Sequence, residues 1–148
     1  MRKLSAAILI AAIAVIIGSF HSSTNAQRMG LYSGATMYPV LSAASNNSQL
    51  IGPAGPRTAM GLIAINTAAS VLHVRLYDTA TAPDCTSATN AKGLFSVQTA
   101  ALNGGFTLNF GPAGVSFVNG VGICITGAYG LTDNTAAVTG LSLTVILQ

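Results

Sequence analysis

The chain has 148 residues, of which 51% are hydrophobic and 6% are charged, with six basic and three acidic side chains. At roughly 150 residues per domain, this length holds one domain at most. So few charges exclude a disordered polyelectrolyte, a coiled coil and a nucleic-acid binder built on a basic stripe.

Residues 1–26 have the pattern of an export signal. The basic start at Arg2 and Lys3 is followed by an apolar run from Leu4 to Phe20, and small polar residues lead to Ala26. This order is typical of a secretory signal peptide, here cleaved near Ala26. The alternative is an uncleaved membrane anchor, because a run of 17 residues reaches the lower limit for crossing a bilayer. We therefore predict an exported protein that is periplasmic, extracellular or on the cell surface.

Cleavage changes the charge balance of the chain. The mature protein keeps four basic and three acidic side chains, a net charge of +1: Arg28, Arg57, Arg75, Lys92, Asp78, Asp84 and Asp133. Such a small excess does not drive phosphate binding through counterion release. We expect no nucleic-acid partner and, once the signal is removed, no association with the membrane.

The mature sequence is typical of strands. In Val71 to Asp78, Leu72, Val74 and Leu76 alternate with His73, Arg75 and Tyr77, the period of a β-strand. Further strands are predicted at 60–65, 94–99, 106–110, 121–126 and 141–147, with turn-forming residues between them. We predict an all-β fold, a single antiparallel β-sandwich or jelly roll, with an N-terminal extension and first strand at 27–57 and the sandwich core at 58–148.

One short sequence occurs twice. Gly52 to Gly55 and Gly111 to Gly114 both read Gly-Pro-Ala-Gly. Proline and glycine at these positions favour a turn. Four shared residues in a chain rich in glycine and alanine indicate reuse of a turn more than a duplicated half-domain, which stays the alternative.

The two cysteines of the chain are Cys85 and Cys124. An even number in an exported protein predicts a disulfide between them. The alternative is two unpaired buried thiols. Their spacing does not match a zinc site, so no metal and no cofactor is expected.

The mature sequence has few side chains that could act in catalysis. His73 is the single histidine of the mature chain, and a triad would have to bring it together with a serine and Asp78, Asp84 or Asp133. The sequence has no Gly-x-Ser-x-Gly motif to hold that serine. We interpret His73 as a surface residue of a strand and predict no catalytic residues.

The sequence offers weak candidates for two kinds of binding site, a calcium site and a glycan-binding face. Asp133 to Thr135 could contribute oxygen ligands to calcium, but an Asx turn accounts for the same residues. A glycan-binding face would need aromatic side chains, and the four mature tyrosines are scattered along a chain without tryptophan: Tyr32, Tyr38, Tyr77 and Tyr129.

Two stretches resemble a known group of proteins. Val74 to Thr86 is similar to a recurrent strand and loop of small, mostly uncharacterised phage-encoded proteins, and so is Phe117 to Gly127 with its continuation at Thr132 to Ala136. That resemblance spans about Ala59 to Gln148 and implies a virion-associated β-sandwich of the decoration or capsid-stabilising kind. The shared residues mark turns, so the resemblance assigns no functional residue. The export signal is a departure from that group.

The sequence therefore predicts a non-enzymatic, exported structural or assembly protein that associates with itself or with a surface or virion lattice. A surface with few charges and few long side chains offers little repulsion and loses little side-chain entropy on association. The first alternative is an extracellular adhesin-like or glycan-binding module, and the second is a hydrolase centred on His73.

Overall fold

The computed structural model describes residues 34–45 and 47–148; the predicted signal peptide at 1–26 and Arg28 lie outside the described residues. Ala35–Gln148 forms one compact unit. In the described ranges, no helix is long and apolar enough to cross a bilayer. The described residues form nine strands and one 3-10 turn at Ala100–Leu102; the strands are β1 (Thr36–Leu41), β2 (Gln49–Ile51), β3 (Arg57–Asn66), β4 (Leu72–Asp78), β5 (Ala91–Val97), β6 (Gly105–Asn109), β7 (Val115–Phe117), β8 (Val121–Thr126) and β9 (Leu141–Leu147).

The strands form two antiparallel sheets. The first has the order β1-β9-β3-β6, and β7 pairs with β3 beyond the end of β6; the second has the order β2-β8-β4-β5. Most connections cross from one sheet to the other, so that most consecutive strands lie in different sheets. Two sheets with these four-strand orders form a jelly roll, to which β7 adds a fifth strand in the first sheet. The all-β, antiparallel prediction is confirmed.

Alternating side chains explain why these segments pair. Along β9, Leu141, Leu143, Val145 and Leu147 point into the sandwich and are almost fully buried. The same alternation in β4 places Leu72, Val74 and Leu76 in that core, as the sequence predicts. Strands β8 and β9 begin and end at the predicted residues, and β3 to β6 are displaced or extended by a few residues.

The sequence pattern does not give the ends of three strands. β2 and β7 have three residues each, too few to show a period. β1 contains Pro39, which argues against a central strand. β1 is an edge strand paired with β9, and β2 is an edge strand paired with β8, so the segment predicted to hold an extension and a first strand supplies one strand to each sheet. The boundary near residue 57 stays a prediction.

The repeated Gly-Pro-Ala-Gly sequence adopts similar backbone angles in both copies. Gly52 and Gly55 have φ of 69° and 111°, and Gly111 and Gly114 have φ of 78° and 60°. These left-handed angles favour glycine, since a Cβ atom there is strained. A Cβ on Gly114 would also lie 2.7 Å from the carbonyl oxygen of Ala59. The copies lead into β3 and β7, which pair with each other.

Candidate functional site

The outer faces of the two sheets differ. Every residue of β4 and of β8 is buried, because the connections at 79–90 and 127–140 lie over the second sheet. Side chains that the alternation directs away from the core, His73, Arg75 and Tyr77, therefore form a second buried layer under these loops. On the outer face of the first sheet, Ile146 and Gly61 are buried, whereas Met37, Leu41 and Ile65 are more than half exposed. We call the two surfaces the covered face and the open face.

Arg75 is the centre of the covered face and has 0% of its surface exposed. Its Nη1 donates to the carbonyl oxygens of Cys85 and Leu131, both at 2.7 Å, and its Nη2 donates to that of Asp133. Its Nε has no hydrogen-bond partner in the part of the chain that the structure describes. No carboxylate forms an ion pair with it among the described residues. The guanidinium instead joins the two connections to the middle of β4 through backbone carbonyls.

The predicted disulfide is present beside this arginine. Cys85 and Cys124 are joined, with their Cα atoms 5.7 Å apart, and form a small buried cluster with Tyr77. The bond connects the 79–90 connection to β8. The hydroxyl of Tyr77 donates to the carbonyl oxygen of Ser87 at 3.1 Å. The covered face is thus held by one covalent bond and a set of hydrogen bonds to backbone carbonyls.

The interpretation of His73 as a surface residue was wrong. Its side chain is buried under the ring of Tyr129, whose centroid lies 5.6 Å away, and its Nδ1 lies 3.0 Å from Oγ of Ser96. Burial lowers the pKa of His73 below its usual value, the charge of Asp133 opposes this change and the charge of Arg75 adds to it. The imidazole is therefore neutral at pH 7.

The contact between His73 and Ser96 does not form a catalytic triad. In a triad an acid orients the histidine through its second nitrogen. Asp133, the acid whose charge acts on His73, instead accepts bonds from Thr135 and from the backbone of Ala128. Asp78 and Asp84 have other partners in the fold. The structure brings a serine to His73 but no acid to orient it.

Asp78 ties β4 to the β7–β8 connection. Its carboxylate accepts backbone N–H bonds from Val118 and Asn119, the latter at 2.7 Å, and lies 3.6 Å from Nζ of Lys92. Burial opposes ionisation, but these backbone bonds and Lys92 outweigh it and hold the pKa of Asp78 below its usual value. Its role is structural.

The other two aspartates form turns. Oδ1 of Asp84 accepts the backbone N–H and the hydroxyl of Thr86, and Oδ1 of Asp133 accepts the same two groups of Thr135. Both are Asx turns, and the one at Asp133 is the turn that the sequence favours over a calcium site. In the described ranges, no three His, Cys, Asp or Glu side chains are grouped so as to hold a metal.

A shallow groove lies at the edge of the covered face, between β5 and residues 129–131. Its lining includes Lys92, Leu94, Tyr129 and Leu131. The ring of Tyr129 is 72% exposed, whereas Tyr77 is buried. Tyr38 packs against the core, and Tyr32 lies outside the described residues. An aromatic binding platform is therefore reduced to one exposed ring.

The open face carries no charged side chain. Strand register places three rows across β1, β9, β3 and β6: Met37, Ile146, Gly61 and Asn109; Pro39, Thr144, Ile63 and Thr107; Leu41, Ser142, Ile65 and Gly105. Met37, Leu41 and Ile65 are 58%, 75% and 55% exposed. Ile146 and Gly61 in the first row are buried, so the exposed apolar part of the face consists of Met37 and of the row with Leu41 and Ile65. Exposed apolar side chains grouped in this way are typical of an interaction surface.

The burial of Arg75 and the open face are the two features that the sequence pattern does not predict. Alternation in β4 places Arg75 on the face opposite the core, but it does not show that distant connections cover that face. The sequence predicts a first strand within 27–57 but not its ends, because Pro39 interrupts the pattern of β1. Neither feature shows its partners until the sheets are assembled.

Comparisons with known proteins leave the function open. No protein-family model and no curated protein matches the sequence. Among solved structures, the chain is similar to the tomato aspermy virus structure with 12% identity, 77% of this chain and 76% of that chain covered, and a TM-score of 0.39. It is also similar to CoII HppE in complex with Tris buffer, with 13% identity, coverage of 76% and 44%, and a TM-score of 0.23. A third similarity is to the VLP of the extra small virus of the prawn Macrobrachium rosenbergii, with 15% identity, coverage of 76% and 75%, and a TM-score of 0.21. Scores below 0.5 carry no argument about the function of this chain.

Proposed function

We propose that this chain is a non-enzymatic, exported structural protein that assembles with copies of itself or into a surface or virion lattice. The observation that carries the proposal is the open face, where twelve aligned positions on four strands include no charged residue. Association through such a face buries apolar and hydroxyl-bearing side chains without desolvating a charge.

The use of the polar groups supports the same proposal. The three aspartates, His73 and Arg75 are all engaged in bonds that hold strands and connections together. A catalytic site requires groups that are oriented toward a substrate and free to exchange protons. On the covered face, these polar groups stabilise the fold.

The fold is compatible with the proposal and does not choose between it and its alternative. Jelly rolls form viral capsid domains and also lectin domains. The resemblance to phage-encoded β-sandwich proteins supports the capsid-associated kind, and the disulfide is compatible with an oxidising, exported environment.

Fractionation of the native source tests the proposal. We expect the full-length gene product to lose residues 1–26, to keep its disulfide and to sediment with particles or surface assemblies. Intact mass under non-reducing conditions reports the terminus and the thiol state, and sucrose-gradient sedimentation reports the assembly. A protein recovered entirely as a small, free species would contradict the proposal.

A glycan-binding module is the second candidate, and Tyr129 is the observation that favours it. Its exposed ring lies on a groove that also contains Lys92, and sugar rings pack well on aromatic side chains of this kind. Glycan-array binding that disappears in Tyr129→Ala but persists in Tyr38→Phe would support it. An array without hits would remove it.

A further inference from the structure

We propose that the open face binds the open face of a second copy of this chain, in a two-fold-symmetric and weak contact; the inference rests on the proposed assembly function and names its surface and partner.

The sheet edges are poorly suited to association. Ser42 N–H donates to the carbonyl oxygen of Leu141 opposite it, so that hydrogen bonding to β9 alternates along β1 and the nitrogen of Pro39 is directed to the free edge. A proline there removes a donor that an added strand would need. Strand addition along β1 is therefore discouraged.

The remaining edges carry other features that oppose pairing. β2 has three residues and β6 has five. β5 carries Lys92, and its pairing with β4 shifts register between Leu76 and Tyr77. Short strands, lysine and register irregularities are the devices by which natural sheets avoid edge-to-edge contact. The open face is left as the surface for association.

The open face is complementary to itself. Ser142 lies between Leu41 and Ile65 in one row of the sheet, and a depression forms there whose lining also includes Thr67 and Gly140. A protruding apolar side chain and a recess that can receive one thus lie side by side. A two-fold contact requires this combination, because the same patch must supply both parts.

The lack of charge on the open face also favours a second copy of the chain as its partner. A face without charges offers no attraction to a basic or acidic partner, and copies that each have a net charge of +1 after cleavage repel one another little. The charged side chains of the described residues lie on the covered face, in its loops or at the start of β3.

The size of the face sets the strength of the contact. Four strands about 4.8 Å apart and three rows about 6.8 Å apart give a footprint of at most about 400 Å² per copy, because Ile146 and Gly61 within it are already buried. Side chains enlarge the accessible area, but the total stays near or below the roughly 1,200 Å² at which specific stable interfaces begin. A single contact is therefore weak, and a stable assembly needs many contacts at once.

Sedimentation of the mature, disulfide-bonded chain tests the proposal. We expect its average mass to rise between about 5 and about 500 μM, as for a fast-exchanging dimer. Thr144→Glu and Thr144→Lys each place a charge at the middle of the face. We expect each substitution to weaken association at least about tenfold, because the interface would bury that charge without a partner. If both the negative and the positive side chain weaken association, the cause is burial of a charge and not a change in net charge.

The control is Thr89→Glu, an exposed residue of the 79–90 connection, which we expect to associate like the wild type. Circular dichroism and melting temperature confirm that each variant is folded. Association that survives both Thr144 variants overturns the open face as the contact and leaves the assembly function standing. A wild-type chain that stays monomeric at every concentration overturns the second copy as its occupant. If native fractionation also finds no assembly, the proposed function fails with it.

Discussion

Replacing Arg75 with methionine removes the group that ties both connections to β4. Methionine has a similar length and keeps the apolar packing, but it removes the guanidinium bonds to the carbonyl oxygens of Cys85, Leu131 and Asp133. Hydrogen bonds from a charged donor contribute about 1.5–3 kcal/mol each. Three of them set the scale of the loss at about 4.5 kcal/mol or more.

A gain offsets part of this loss. The guanidinium is fully buried, lacks a carboxylate partner and has an unpaired Nε. Removing such a charge recovers a desolvation cost that amounts to several kcal/mol in proteins. We expect the free energy of unfolding to fall by about 2–4 kcal/mol. Against the roughly 5–15 kcal/mol of a typical domain, this is a large fraction.

Urea unfolding measures the change. With a slope of about 1–3 kcal/mol/M for a small protein, the midpoint should fall by about 1–2 M at an unchanged slope. Native-state hydrogen exchange should show faster opening at residues 127–136, while the core strands β8 and β9 follow only the global change. The disulfide stays intact in this experiment, so that the unfolded state is the same for both proteins.

The matched control is Arg57→Met. Arg57 allows the same chemical change at a half-buried site, where its Nε is likewise buried without a partner among the described residues. Its replacement therefore removes a guanidinium without removing hydrogen bonds to carbonyl oxygens. We expect this variant to stay within about 1 kcal/mol of the wild type, like most substitutions away from special features. If Arg75→Met equals the wild type or exceeds it in stability, the carbonyl contacts do not outweigh the buried charge and our reasoning is refuted.

Three further outcomes follow from the covered face. Replacing both cysteines with serine opens a loop of 39 residues and should lower the unfolding free energy by about 4 kcal/mol in the chain-entropy treatment; urea midpoints that agree with and without reductant would contradict this. Asp78→Asn should cost about 1–3 kcal/mol, because it removes the negative charge and puts an NH2 donor in place of Oδ2, which accepts from Val118 and lies near Lys92; calorimetry measures it, and Asp84→Asn, at an exposed turn, is the control. Because burial holds the pKa of His73 below 6.5, the unfolded chain binds its proton first, and stability should fall as the pH drops below 6.5 and level off below the native pKa. His73→Gln should remove that dependence, which leaves the acid loss below pH 3.8 that the lowered pKa values of Asp78 and Asp133 predict; an unchanged profile from pH 7 to 5 would show that His73 is not the group involved.

The strand prediction succeeded where one face of a strand is apolar over several residues. β8 and β9 were placed at their observed ends because alternation and flanking glycines mark both. β2 and β7 are too short to alternate, and the pattern of β1 is interrupted by Pro39. Those strands form because partner strands β8, β3 and β9 supply their hydrogen bonds.

The site prediction failed for a related reason. A strand sequence tells which side chains share a face, but it does not tell whether that face meets solvent. His73 and Arg75 alternate with core residues as a surface pair would, yet distant connections cover them. The Asx turn at Asp133 could be predicted because its bonds are local and span two residues.

The amino-acid sequence by itself determined the all-β class and the local turns, because both depend on neighbouring residues. It also determined the pairing of the cysteines, because the chain has two of them. The tertiary structure alone decided which sheet is covered and which stays open. That choice depends on where residues 79–90 and 127–140 fold back, and those connections are held by a buried arginine and a disulfide between parts of the chain that are far apart in sequence.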